Sequence, residues 1–146
     1  MGADLLQLYQ DVVLAHNRRP RNYRVVEPAT HAAVGHNPLC GDTVDLRLEV
    51  RDGVIHAVGF QGEACAIATA SASILTATLE GRSVDDARAV MAAFREALHG
   101  AGGELPGDLD ALQGVRRFPG RLRCAELAWG ALESALDGES GAGEAG

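Results

Sequence analysis

The sequence predicts an α+β domain. Three observations carry that expectation: a stretch of strict apolar/polar alternation closed by a turn dipeptide, an Ala-rich run behind it that contains neither Gly nor Pro, and a final apolar stripe at helical spacing.

Leu5, Leu8, Tyr9, Val12 and His16 recur at helical spacing behind Asp4, which has the chemistry of an N-cap, so the chain is expected to open with an amphipathic helix. Pro20 sets its latest possible end. From Thr43 the period changes to two. Val44, Leu46, Leu48 and Val50 share one face, and Asp45, Arg47, Glu49 and Arg51 share the other. Asp52-Gly53 signals a hairpin, residues 54–60 read as the returning strand, and a third strand is expected within residues 30–36. Residues 64–79, dominated by Ala, Ser, Thr and Ile, read as a helix whose small side chains can approach the sheet closely. Gly81 stops it, and Ser83 with Asp86 resembles a cap for the next helix, whose stripe is Val84, Ala87, Met91, Phe94 and Leu98. Residues 99–107 form a Gly-rich loop containing Pro106, followed by a short segment at 109–112 and a break at Phe118-Pro119-Gly120. Cys124, Leu127, Ala128, Ala131, Leu132 and Ala135 then mark the last helix. The expected organisation is one domain over residues 1–137 and a disordered tail over 138–146, rich in Gly and Glu.

Composition narrows the function. The chain has 146 residues, enough for one buried core, with 47% hydrophobic residues. No apolar run approaches the ~20 residues that span a bilayer, so no membrane association is expected. A net charge of -7 counts against nucleic acid as a partner, since phosphate binding needs a basic stripe. The basic residues are all Arg, and the group at Arg18, Arg19, Arg21 and Arg24 reads as a solvated loop. The N-terminus lacks a basic region followed by an apolar run, which makes a cytoplasmic location the expectation.

Three cysteines in a reducing compartment point away from a disulfide framework and towards metal binding, catalysis or packing. Cys40 stands in Asn37-Pro38-Leu39-Cys40-Gly41-Asp42, where the glycine lets a thiolate and a carboxylate turn towards one ion. Cys65 and Cys124 each lie near an expected helix N-terminus, where the macrodipole favours a thiolate and should lower its pKa; Arg121 and Arg123 push Cys124 the same way. Cys40, Asp42, Cys65 and Cys124 thus form a possible ligand set of three sulfurs and one oxygen, suited to tetrahedral zinc. Such a site is either closed and structural or holds one thiolate in a protected, reactive state. Cys40, on a turn, is the better candidate for reactivity. His36, four residues before Cys40, lacks the orienting partner that a Cys/His nucleophile pair requires.

The segments around Cys40, residues 62–73 and residues 118–129 together resemble the iron-sulfur cluster assembly family of NifU/IscU type, most closely its SufU branch, over residues 5–136. Arg123 stands where scaffold members of the IscU kind carry a His, and the segment around Gly100 to Gly114 looks like the SufU insertion. Ala68 departs from the Ser common among relatives. The resemblance implies an IscU/SufU-like fold, a small antiparallel three-stranded sheet packed against helices. It also implies a zinc-dependent sulfurtransferase that partners a SufS-type cysteine desulfurase and serves the downstream Suf cluster-assembly machinery. By that resemblance Cys40, Asp42, Cys65 and Cys124 bind zinc, Cys40 accepts the persulfide sulfur once a desulfurase side chain takes over its coordination position, and Arg123 stabilises the thiolate-rich site. The alternative it leaves open is a scaffold that assembles a 2Fe-2S cluster on the same ligands.

Overall fold

The computed structural model describes residues 2–39, 41–100 and 102–138. Its elements run α1 (Gly2–Arg18), β1 (His31–Asn37), β2 (Asp42–Arg51), β3 (Val54–Gln61), α2 (Ala66–Leu79), α3 (Val84–His99), α4 (Asp108–Leu112) and α5 (Leu122–Gly138), with two 3-10 turns between α4 and α5. The strands form an antiparallel three-stranded sheet in the order β1-β2-β3. The expected α+β fold is the observed one.

Alternation in β2 does what the period requires: Val44, Leu46 and Leu48 are buried, and the residues between them are partly exposed. Helices α5 and α2 pack over the sheet, α5 chiefly on β1 and β2 and α2 on β3, and α1 lies against α2. Close approach is possible because the contact faces are built from Ala: Ala68, Ala70 and Ala72 on α2 and Ala125, Ala128 and Ala131 on α5 are all buried. Trp129 and Phe94 fill the space beyond them, ring centroids 5.1 Å apart.

Three expectations need correction. Asp4 lies inside α1 and does not cap it, because the backbone is already helical at Gly2; an acidic residue in a first turn is favoured by the same dipole. Residues 64 and 65 lie outside α2, with Cys65 as its N-cap in extended conformation. Helix α5 runs through Gly138, one residue past the expected domain limit, and residues 139–146 of the expected tail lie outside the described residues. The cap at Ser83 is as expected, its hydroxyl accepting from the Asp86 N–H at 3.0 Å.

Candidate metal centre

The hairpin joining β1 to β2 pairs Asn37 with Asp42 at its closed end. The Gly41 N–H donates to the Asn37 carbonyl at 2.8 Å, and Gly41 adopts φ +75° with open space around it, so glycine is needed for conformation and not for room. Cys40 lies outside the described residues. The loop leading to Cys65 is pinned to the same strand end. The Thr43 N–H donates to the Glu63 carbonyl at 2.8 Å, and a Cβ on Gly62 would stand 2.1 Å from the Thr43 carbonyl oxygen. Only glycine lets these two backbones meet.

This contact delivers Asp42 to Cys65. One carboxylate oxygen, Oδ1, accepts from the Cys65 N–H at 3.1 Å, while Oδ2 is buried and has no partner among the described residues. From the opposite side α5 supplies Cys124, buried in its first turn. The ligand atoms of Asp42, Cys65 and Cys124 all lie within 4.8 Å of one another.

Burial pushes the Cys65 thiol up to about 11, the neighbouring Cys124 sulfur and the Asp42 charge add to the rise, and the Ala68 N–H, donating to Sγ at 3.4 Å, only partly offsets them. The expectation that a helix N-terminus would lower this thiol's pKa is therefore corrected. One backbone N–H does not outweigh desolvation and two like charges. Without a cation the Cys65 thiol resists ionisation.

A bound zinc would remove that conflict. Tetrahedral zinc holds thiolate and carboxylate donors with ligand atoms about 3.5–3.8 Å apart, which the observed spread accommodates by small side-chain rotations. The unpartnered buried Oδ2 of Asp42 has the character of a ligand awaiting a cation. Two sulfurs and an oxygen converge, and the residues fit the metal.

Arg123 is exposed and lines a cleft of 440 Å³ with His36, Asn37, Pro38, Arg95 and Glu126, on the side of the hairpin that leads into Cys40. His36 points at Thr43, with Nδ1 3.2 Å from Oγ1. A second, apolar groove of 540 Å³ is lined by Tyr9, Val13, Leu14, Ala66, Ile67 and Phe118, together with Asn17 and Arg121. The Arg18 to Arg24 loop is exposed at each arginine, as expected of a solvated segment.

Several residues near the centre carry no local sequence signal. Asn17 donates to the Ala66 carbonyl at 2.5 Å, and the Tyr23 hydroxyl lies 3.2 Å from the Gly62 carbonyl, so the end of α1 and the loop after it brace both ends of the Cys65 loop. Tyr9, read from the sequence only as part of a helix stripe, is buried against Phe118, with its pKa raised mainly by burial; the charge of Arg121 opposes the rise, and Cys65 and Cys124 add to it.

Residues 8–138 match the NifU-like N-terminal domain family. The chain is 34% identical over 143 residues to the zinc-dependent sulfurtransferase SufU of Bacillus subtilis (strain 168), covering 96% of this chain and 97% of that protein. It is 36% identical over 136 residues to the iron-sulfur cluster assembly scaffold protein IscU of Streptococcus pyogenes serotype M1, covering 90% of this chain and 84% of that one. The crystal structure of FiSufU from the thermophile Fervidobacterium islandicum AW-1 superposes with a TM-score of 0.82 at 26% identity, over 89% of this chain and 97% of that chain. Fold, site and relatives together define an iron-sulfur cluster assembly protein. Within that class the chain belongs to the NifU-like N-terminal domain family, in its IscU/SufU group, as the three cysteine segments implied.

Proposed function

We propose that the protein is a zinc-dependent sulfurtransferase that accepts persulfide sulfur from a SufS-type cysteine desulfurase in the cytoplasm and passes it to downstream Suf cluster-assembly machinery. The observation that carries this reading is the convergence of Asp42, Cys65 and Cys124, with a buried carboxylate oxygen that has no partner among the described residues, two positions along the chain from Cys40. Its relatedness to the B. subtilis protein supports the choice.

In this reading Cys40, Asp42, Cys65 and Cys124 hold the zinc, which when bound keeps thiolates deprotonated and shielded at neutral pH. The Cys40 thiolate attacks the outer sulfur of the donor's persulfide. A new S–S bond forms at Cys40, the donor's S–S bond breaks, and the donor cysteine leaves as a thiolate, with no net oxidation. Leu39, the residue before Cys40 in the chain, is 78% exposed, which favours access for this step. Arg123, in the cleft beside Asn37 and Pro38, supplies a cation to steady the transferred persulfide.

The second reading, a scaffold for a 2Fe-2S cluster, draws on relatives that bear the scaffold name. Arg123 in place of a His, and the segment that contains α4 and its 3-10 turns, favour the sulfurtransferase. The test is desulfurase turnover with cysteine, with and without this protein. Stimulation that is lost in Cys40→Ser while zinc remains bound supports sulfur transfer; visible absorbance of anaerobically purified protein with no stimulation supports the scaffold.

A further inference from the structure

Cys65 and Cys124 sit on different helices, so the distance between their sulfurs is set by how α2 lies on α5. Both helices carry buried alanines, Ala68, Ala70 and Ala72 on α2 and Ala125, Ala128 and Ala131 on α5, whose side chains offer no directional bond. A polar group on α2 does reach across to α5. Ser71, fully buried on α2 six residues beyond Cys65, donates through Oγ to the Ala125 carbonyl at 2.5 Å and accepts from Trp129 Nε1 at 3.1 Å. Ala125 is the residue directly after Cys124, and Trp129 lies one helical turn further along the same helix.

We infer that Ser71 is a positioning residue for the metal centre: its hydrogen bond to the Ala125 carbonyl fixes the register of α2 against α5 and so the separation of the Cys65 and Cys124 sulfurs. The bridge is directional at both ends, as a hydroxyl with one donor and its acceptor lone pairs requires. It lies within two turns of both sulfurs, close enough for a small slide to be felt there, since each residue of slip moves a helix 1.5 Å along its axis. The Ala125 carbonyl also has its own helical acceptor role, so Ser71 adds a second, interhelical bond to it and is not needed merely to satisfy that oxygen.

This inference rests on the zinc reading, and its test separates the two. Ser71→Ala alone leaves the Trp129 N–H buried without a partner and would lower stability for that reason alone. Trp129→Phe removes the donor and keeps the Ser71 to Ala125 link, and Ser71→Ala/Trp129→Phe removes both ends together. Metal affinity is read by competition of zinc with a chromophoric chelator, and site geometry by the ligand-field bands of the cobalt-substituted protein. Both are independent of sulfur transfer. The expected result is that Trp129→Phe keeps the wild-type cobalt spectrum and affinity. The double variant, which has no orphaned donor, should bind zinc about tenfold more weakly with shifted cobalt bands, in the range found when groups that orient metal ligands are removed. Wild-type affinity and spectrum in the double variant would overturn the positioning role while leaving the zinc reading intact. Failure of the wild-type protein to take up either metal would overturn the zinc reading and this inference with it.

Discussion

Asp42 divides its carboxylate: Oδ1 accepts the Cys65 N–H at 3.1 Å, while Oδ2 is buried with no partner among the described residues, and a carboxylate oxygen lies within 4.8 Å of the Cys65 and Cys124 sulfurs. A backbone contact therefore holds the Asp42 side chain towards the candidate metal position. Asp42→Asn keeps an acceptor for the Cys65 N–H and removes the charge. Zinc affinity is expected to fall at least about tenfold, as for perturbed ligand shells generally, while metal-free stability changes by less than about 1 kcal/mol. Chelator competition and thermal unfolding of the EDTA-treated protein measure the two effects.

The raised Cys65 thiol predicts how metal-free protein responds to alkali. Its ordinary value is 9.0 and its folded value about 11, so the folded state holds a proton that the unfolded state releases between them. The contribution is fully present below pH 9 and is lost as pH rises towards 11. Urea unfolding of metal-free protein should show stability falling across that window, and Cys65→Ser should flatten the fall. In Cys124→Ser, which lacks one of the groups that raise it, Cys65 should titrate lower.

Two glycines at the centre should differ in cost. Gly41→Ala strains only the backbone, at about 1–2 kcal/mol for a left-handed residue. Gly62→Ala also drives a Cβ to 2.1 Å from the Thr43 carbonyl, so it should cost more than about 3 kcal/mol and separate the Cys65 loop from Asp42. Equilibrium unfolding ranks them, and zinc content of the purified Gly62→Ala protein reports the site.

His16 is 3% exposed and bridges three elements, with Nδ1 2.7 Å from Ser73 Oγ and Nε2 2.8 Å from Asp108 Oδ2; Ser73 in turn accepts the Arg21 N–H at 2.7 Å. Every polar atom is satisfied if the Nε2 proton goes to Asp108 and the Ser73 proton to Nδ1. His16→Ala should cost about 1–3 kcal/mol by leaving the buried Ser73 hydroxyl without its acceptor. Hydrogen exchange should rise first in α4 (Asp108–Leu112), which the bridge ties to α1 and α2.

What the sequence made legible was local. The β2–β3 hairpin, the Ser83 cap and the α5 stripe each show within a few residues, because alternation, capping and helical period are short-range. Cys65 as an N-cap was not legible, since its conformation depends on Asp42, 23 positions earlier. Ser71 and Ser73 read only as small helix residues. Their partners stand 52 to 58 positions away, and no periodicity reports a bond across that separation. Asp42, Cys65 and Cys124 stood out in the sequence as candidate ligands and the structure brings them together, but the electrostatics of the Cys65 thiol were not legible, because burial and the other two groups decide them.

The most direct test of the central claim is a native mass spectrum taken before and after incubation with a SufS-type cysteine desulfurase and cysteine. The account predicts one zinc per chain at the start and one added sulfur afterwards, absent in Cys40→Ser. A starting mass that fits iron and sulfide, or zinc with no sulfur uptake, would contradict it.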